Sequence, residues 1–266
     1  MAIDSTLFAA DIPAGTYAVG DVVQLGCIDG PANVRSGRGN AKLKTISVGQ
    51  LASSTPYWKI HVKNSDWIDE VQSFAAVLGP TSFDDESGGV QGGHDCNLTP
   101  NSGWQVWAEC VTGGSPTAGN SIYALIDIDY PEVGGVTNPK AAVGFPTSIS
   151  YNVASVSVDA IGGLTTAKWE SQSVDYFKAG YRYVLDAVEL AYGSTVVGFI
   201  AFSNAAGMGG LTRIIPIISN IAAIRYSVKY SSILLKGPMD VKTKLFQTAA
   251  GTIPLTMAHD YVKQKA

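Results

Sequence analysis

The chain carries one β-rich pattern twice, and this repeat constrains the fold more than any other feature of the sequence. The segment Ser54–Val62 is matched by Ser194–Phe202, 140 positions later, and each has a Ser-Thr pair ahead of a strand-like run. Asp129-Tyr130 and Asp260-Tyr261 close two further strand-like runs, 131 positions apart. Two copies with loops of different length would give this change in spacing. We therefore expect two similar units in one chain of 266 residues.

Apolar and polar residues alternate along many segments, which predicts strands with one buried and one solvated face. Trp58, Ile60 and Val62 share one face of their segment. In the segment 122–130 the isoleucines share a face, and Asp127 and Asp129 are assigned to the solvated one. The 29 glycines supply tight turns between such strands. The sequence thus predicts an all-β fold of two tandem antiparallel β-sandwich units that are jelly-roll-like. Alternation does not fix the strand order, so an immunoglobulin-like sandwich is the alternative.

The predicted domain boundaries follow the densest run of turn-forming residues. Pro131–Ser148 holds three prolines and three glycines between the two copies. We expect a first unit at 1–135, a linker at 136–150 and a second unit at 151–266. A short helix is predicted over Asp66–Phe74, and Leu78–Ser102 is predicted to be the longest loop, suited to an intersubunit contact.

Charge and cysteine usage exclude several classes of protein. The net charge is −4 and the basic residues are scattered, so we expect no direct contact with nucleic acid. Three cysteines without CxxC spacing argue against a disulfide framework or a structural zinc site, and Cys110 is predicted to be a core residue. No signal peptide or apolar run of ~18 residues is present, so we expect synthesis and folding in a cytoplasm.

Residue types that serve in catalysis do not form a recognisable signature. Asp127 and Asp129 lie on one strand face, where paired carboxylates would suit glycoside hydrolysis, but a solvated face is the preferred interpretation. His61, His94 and His259 are the three histidines, and no GxSxG elbow accompanies them. We expect no enzyme activity, no cofactor and no small-molecule ligand.

The acidic stretch of the predicted long loop has two interpretations. Asp84, Asp85 and Glu86 precede His94 and Cys96, and these side chains include types that bind cations. Their spacing fits no EF-hand or zinc pattern, so a polar surface loop is preferred. We select Asp84, Asp85 and His94 as candidate subunit contacts and expect no bound metal.

Aromatic side chains on the more solvated strand faces are the remaining candidates. Tyr57, Trp107 and Tyr123 all fall at such positions. Aromatic residues are enriched at protein interfaces, so contact with a neighbouring subunit is the first interpretation. Packing within the sheet and a stacking platform for sugar rings are the alternatives.

Two features carry a resemblance to viral structural proteins. Two consecutive β units in a chain of this length resemble the double jelly-roll coat proteins of tailless viruses. The run Pro13–Val23, with Tyr17-Ala18-Val19-Gly20-Asp21-Val22 inside it, is similar to the opening of small β-rich virion proteins of bacteriophages. The first likeness rests on architecture and the second covers about the first half of the chain.

The resemblance implies a structural virion protein, either a capsid shell subunit or a capsid-bound cement protein. Such a protein would form a homo-oligomer, with a trimer implied by double jelly-roll coats, and would contact other virion proteins and a membrane only indirectly. The alternatives are a carbohydrate-binding receptor-recognition module and, third, a β-sandwich hydrolase.

Overall fold

The computed structural model describes most of the chain, and every regular element in the described part is a strand. The described residues are 2–29, 42–51, 56–63, 71–77, 82–83, 94–98, 104–116, 119–130, 145–172, 177–191, 196–204, 211–219, 224–227 and 234–265. None of these ranges contains a helix that is long and apolar enough to cross a membrane.

Eighteen strands are present in these ranges. They are β1 (Ala2–Ile12), β2 (Val22–Asp29), β3 (Lys42–Leu51), β4 (Trp58–Lys63), β5 (Val71–Val77), β6 (Ser82–Phe83), β7 (His94–Leu98), β8 (Gln105–Cys110), β9 (Asn120–Tyr130), β10 (Phe145–Ala160), β11 (Glu170–Ser171), β12 (Tyr181–Ala191), β13 (Val196–Asn204), β14 (Leu211–Ser219), β15 (Ile224–Ser227), β16 (Leu234–Lys236), β17 (Met239–Gln247) and β18 (Gly251–Lys265).

The first unit is a jelly roll made of β1 to β9. One of its sheets has the order β1-β9-β3, with β6 and β7 both paired to the far side of β3. The other has the order β2-β8-β4-β5. The chain crosses repeatedly between the two sheets, and pairing of β1 with β2 joins them along one side. This strand order distinguishes a jelly roll from other antiparallel sandwiches.

The second unit repeats this arrangement strand for strand. Its sheets have the orders β10-β18-β12, with β15 and β16 beyond β12, and β11-β17-β13-β14. The difference lies where the two sheets join. The short β11 leaves room for the end of β10 to pair in parallel with β17. The predicted all-β fold of two tandem sandwich units is confirmed.

The residue register supports the repeat and corrects one part of it. Trp58 pairs with Cys110 in the first unit, and Gly198, 140 positions after Trp58, pairs with Leu245 in the second. The last strands also correspond, but not through Asp129 and Asp260 as predicted. Asp260 pairs with Ala187, whose counterpart Ser47 pairs with Leu125, so Asp260 is equivalent to Leu125.

Each unit buries an apolar core between its two sheets. The predicted face of Trp58, Ile60 and Val62 is confirmed as buried, and Cys110 is a core residue. The first core is completed by β1, β3, β8 and β9. The second core draws on equivalent strands, and its members include Phe177, Tyr183, Leu185, Val188, Ile200, Phe202, Val241, Leu245, Leu255, Met257 and Tyr261.

Three local predictions differ from the structure. Val71–Phe74, predicted to be helical, lies in β5, whose pairing with β4 outweighs the weak helical periodicity. The predicted loop 78–102 contains the strands β6 and β7. β10 begins at Phe145, so the end of the predicted linker 136–150 is part of a strand. The division into domains otherwise stays a prediction.

Candidate functional site

A third apolar layer joins the two units to each other. It forms between the outer face of the β1-β9-β3 sheet and the outer face of the β13-β17-β14 strands. Its buried members are Leu7, Ala9, Leu51, Tyr123 and Leu125 of the first unit, and Leu164, Val197, Phe199, Ala201, Ile214 and Phe246 of the second. The strands at this layer therefore bury both of their faces. We expect the two units to behave as one block, because apolar area on both sides is removed from water.

Tyr123 lies in this layer, which corrects the prediction that it points to a wetter face and contacts another subunit. Its side chain is 0% exposed. Its ring packs edge-on against that of Phe199, with 4.9 Å between centroids and an angle of 84°. The contact predicted between chains at this residue is instead a contact between the units of one chain.

Asp127 also differs from its predicted position on a solvated face. It is buried, at 7% exposure, and accepts a 2.8 Å hydrogen bond from the hydroxyl of Ser5 on the neighbouring strand. The side chain of Asp129 lies outside the described residues. Asp127 is thus explained by strand pairing between β1 and β9, and no carboxylate pair for hydrolysis is formed by described side chains here.

Hydrogen bonds to Asp11 hold the loop that follows β10 against the first unit. Its carboxylate accepts hydrogen bonds from the backbone N–H groups of Leu164 at 3.0 Å and Thr165 at 3.2 Å, and from the Thr165 hydroxyl. Ser121 donates to the same carboxylate at 2.6 Å. The Asp11 side chain therefore acts like a cap on a turn of the other unit.

Gly162 permits the close approach that this arrangement needs. It has a φ of +98°, and a Cβ added there would lie 2.7 Å from backbone atoms of Gly119 in the first unit. A larger residue would have to separate the two backbones. The sequence marked Gly162-Gly163 only as a turn, and its contact with Gly119 was not predicted.

A buried ion pair is the third link between the units. The Lys244 ammonium of β17 lies 2.7 Å from the Asp29 carboxylate at the end of β2, with side-chain exposures of 3% and 16%. The same ammonium lies 4.9 Å from the centroid of the Trp169 ring. No motif in the sequence singled out Lys244 or Asp29, since each looks like an ordinary strand charge.

The outer face of β2, β8 and β4 in the first unit has no such cover from the described part of the chain, and Trp107 lies at its centre. We call this surface the Trp107 face. Trp107 is flanked across the sheet by Gln24 and His61, and Glu109 by Val22 and Lys59. None of these side chains is buried. The face also includes Lys63 and Gln105.

Polar contacts fix the side chains of the Trp107 face. The Trp107 Nε1–H donates to Gln105 Oε1 at 2.9 Å. His61 Nε2 lies 2.8 Å from Glu109 Oε2, and these side chains are 16% and 39% exposed. Tyr57 precedes β4 and is half-buried. Of the six candidate contact residues, Tyr57 and Trp107 therefore have accessible side-chain surface here.

The Trp107 face is equivalent, through the repeat, to the face that the second unit uses to bind the first. Lys59 and His61 occupy the positions of Phe199 and Ala201, and Glu109 occupies that of Lys244. The same sheet is therefore apolar where it is covered within the chain and amphipathic where it is not. A surface of this kind suits a reversible contact more than a permanent core.

The run Pro13–Val23 forms a turn beside this face. The Asp21 carboxylate accepts a 2.8 Å hydrogen bond from the Ala18 N–H, and Gly20 has a φ of +92°. The turn presents Val19, which is 68% exposed, and leads into Val22 at the start of β2, which is 61% exposed on the Trp107 face. The motif residues thus have structural roles, and the turn adds apolar surface next to the Trp107 face.

The remaining predicted candidates are Asp84, Asp85 and His94. Asp84 and Asp85 lie outside the described residues, and for His94 only its backbone position in β7 is described. Of the other histidines, His61 lies on the Trp107 face and His259 is buried in the second core, near the Phe177 and Phe202 rings. Burial lowers the pKa of His259 to about 4, so its imidazole is neutral near pH 7.

Comparisons with known proteins give structural likenesses only. No protein-family model matches the chain, and no curated protein matches its sequence. The exported protein XepA of PBSX is 9% identical over 95% of this chain and 86% of its own, with a TM-score of 0.28. The cowpea mosaic virus empty particle is 10% identical over 99% and 89%, with a TM-score of 0.27. The T13 viral particle of IBDV is 8% identical over 98% and 75%, with a TM-score of 0.25.

Proposed function

We propose that this chain is a structural subunit of a virion shell, not an enzyme, and that it assembles with copies of itself. The observation that carries the proposal is the joining of two jelly rolls into one block by the buried layer around Tyr123 and Phe199. A shell subunit needs a fixed internal geometry, because movement of its two units relative to each other would alter every contact between subunits. The apolar layer, the Asp11 contacts and the Lys244–Asp29 pair together supply that rigidity.

The Trp107 face is the surface that we propose for contact between subunits. It has an aromatic residue at its centre with charged residues around it, an arrangement typical of the strongest contributors to protein interfaces. Its equivalence to the docking face of the second unit supports this choice, because the same sheet geometry is already used for docking inside the chain.

The partner surface that we propose is the outer face of β10 and β18 in the second unit. Ser148, Ser150 and Asp260 lie there, at positions equivalent to Leu7, Ala9 and Leu125. Asp260 would complement the lysines of the Trp107 face. Contact between these two different faces is head-to-tail, so successive copies form a ring if the rotation closes, and a closed trimer is our preferred form.

The test is the mass of the native full chain by light scattering over a concentration series, with electron microscopy of the same samples. We expect a trimer or a larger closed particle. Trp107→Ala should raise the dissociation constant by at least about tenfold, as loss of an interface hot spot does. Lys178→Ala is the control, because this exposed residue belongs to neither proposed face, and it should leave the dissociation constant unchanged.

Charge reversal identifies the partner surface. Asp260→Lys and Lys59→Glu should each weaken association, and the double variant should recover part of the loss. A wild-type chain that stays monomeric at high concentration would overturn the structural role. If both single variants still associate as the wild type does, the structural role stands and the proposed head-to-tail contact is refuted.

A further inference from the structure

We propose that a cleft at the junction of the two units binds a short neutral saccharide, a role beyond assembly and at a place that no sequence motif marked. The cleft is open and has a volume of about 840 Å³. Volumes of this size are common for small-molecule sites, which occur preferentially at domain interfaces. Its lining comes from the end of β10, the loop 161–170, the β17–β18 turn at Ala250 and Gly119 of the first unit.

The lining chemistry suits a ligand rich in hydroxyl groups. Trp169 supplies aromatic surface, while Asp159, Glu170 and Lys168 supply charged acceptors and a donor. Ser157 and Thr166 add hydroxyls. Sugar rings offer C–H faces for the indole and hydroxyls for the polar groups. Two carboxylates against one ammonium disfavour phosphate or other anionic ligands, and this many polar groups disfavour a lipid chain.

One wall of the cleft is held in place by the links between the units. Asp11 binds the loop at Leu164 and Thr165, and Gly162 lies against Gly119. At the other end of the loop, Trp169 packs beneath the Lys244 ammonium. A preformed wall lowers the entropic cost of ligand binding, because little of the loop has to be ordered when the ligand arrives.

The two carboxylates have different surroundings, which assigns them different roles. Glu170 accepts hydrogen bonds from the Ser157 backbone N–H at 2.7 Å and from its hydroxyl at 3.2 Å, so it is oriented by β10. Asp159 is exposed at the rim. We assign Asp159 as the main acceptor for ligand hydroxyls and Glu170 as a group that positions the β10 end of the cleft.

The experiment is binding of the full chain to a printed array of neutral oligosaccharides, followed by calorimetric titration with the best one retained. Asp159→Ala should weaken binding about tenfold without affecting the fold, since its side chain is exposed and a charged hydrogen bond is lost. Trp169→Ala should abolish detectable binding. Lys178→Ala, at an exposed position that lines neither the cleft nor the Trp107 face, is the control and should bind as the wild type does.

Three outcomes would overturn the proposal. They are retention of no neutral glycan by the wild type, retention of anionic glycans alone, and equal affinity of the wild type and Asp159→Ala. Light scattering on the same variants separates this site from assembly. Asp159→Ala should keep the oligomeric mass of the wild type, so failure of the saccharide proposal leaves the structural proposal standing, and the reverse holds as well.

Discussion

Gly49 of β3 lies directly beneath the ring of Tyr123 of β9, so closely that a Cβ on Gly49 would be 2.2 Å from Tyr123 Cε1. The absence of a side chain on Gly49 thus leaves the space that the Tyr123 ring occupies. Since the Tyr123 ring contacts Phe199 across the junction, Gly49 supports the contact between the units through Tyr123.

Gly49→Ala should lower the free energy of unfolding by about 2 kcal/mol, because the added methyl group overpacks the site. In a Tyr123→Leu background the same change should cost less, since the smaller side chain leaves room. Urea unfolding of the four proteins measures this. Gly26→Ala, with nothing within 4 Å of its Cβ, is the matched control. Equal costs of Gly49→Ala in both backgrounds would contradict the contact.

Asp11→Ala should destabilise the chain by about 2 kcal/mol, because it leaves the Leu164 and Thr165 N–H groups without their charged acceptor. Denaturant unfolding checks the value. Asp159→Ala, which removes an exposed carboxylate at the end of β10, should stay within about 0.5 kcal/mol of the wild type. Similar losses in both variants would show that Asp11 has no special role at the junction.

Lys244→Met and Asp29→Asn should each cost about 3 kcal/mol, because either change leaves a buried charge without its partner. The double variant should cost clearly less than the two single changes together. The more exposed pair of His61 and Glu109 provides a comparison, with a coupling of about 0.5 kcal/mol or less. Additive costs at Lys244 and Asp29 would exclude a direct interaction.

His259 predicts a dependence of stability on pH. Its folded pKa of about 4 lies below the ordinary value of 6.5, so the unfolded chain binds more protons between these values. The stabilisation from the neutral imidazole is complete above pH 6.5 and is lost as the pH falls towards 4, by up to about 3 kcal/mol.

Thermal and urea unfolding from pH 4 to pH 7 test this slope. His259→Gln should flatten it, because the substituted side chain does not titrate. Gly26→Ala, which changes no titratable group, is the control and should keep the slope of the wild type. A wild-type stability that is level across this range would contradict the burial of His259.

The sequence predicted the features that repeat along a single strand. The alternation around Trp58 identified a buried face correctly, and the 140-residue repeat identified two equivalent units. The sequence did not predict the strand order or which strands belong to which sheet, because alternation gives the faces of a strand and not the identity of its neighbours.

Errors occurred where a second layer covers a strand. On β9 the alternation suggested a solvated face, yet Tyr123 and Leu125 are covered by the second unit and Asp127 is bonded by Ser5. Likewise, the Asp-Tyr pairs at 129 and 260 are similar in sequence but lie at different register positions. Short matches within β-rich segments arise easily, since few residue types suit a pleated surface.

The pairing of β1 with β9 and of β10 with β18 has a consequence during synthesis. The first strand of each unit pairs with the last strand of the same unit. The first jelly roll can therefore fold while the second is still being synthesised. Until Gly251–Lys265 leaves the ribosome, the surface around Leu7 and Tyr123 has no folded partner. A nascent chain that stalls before this point would expose an apolar sheet and would be prone to aggregation. Pairing of β18 with β10 is therefore the folding step that protects the product from aggregation.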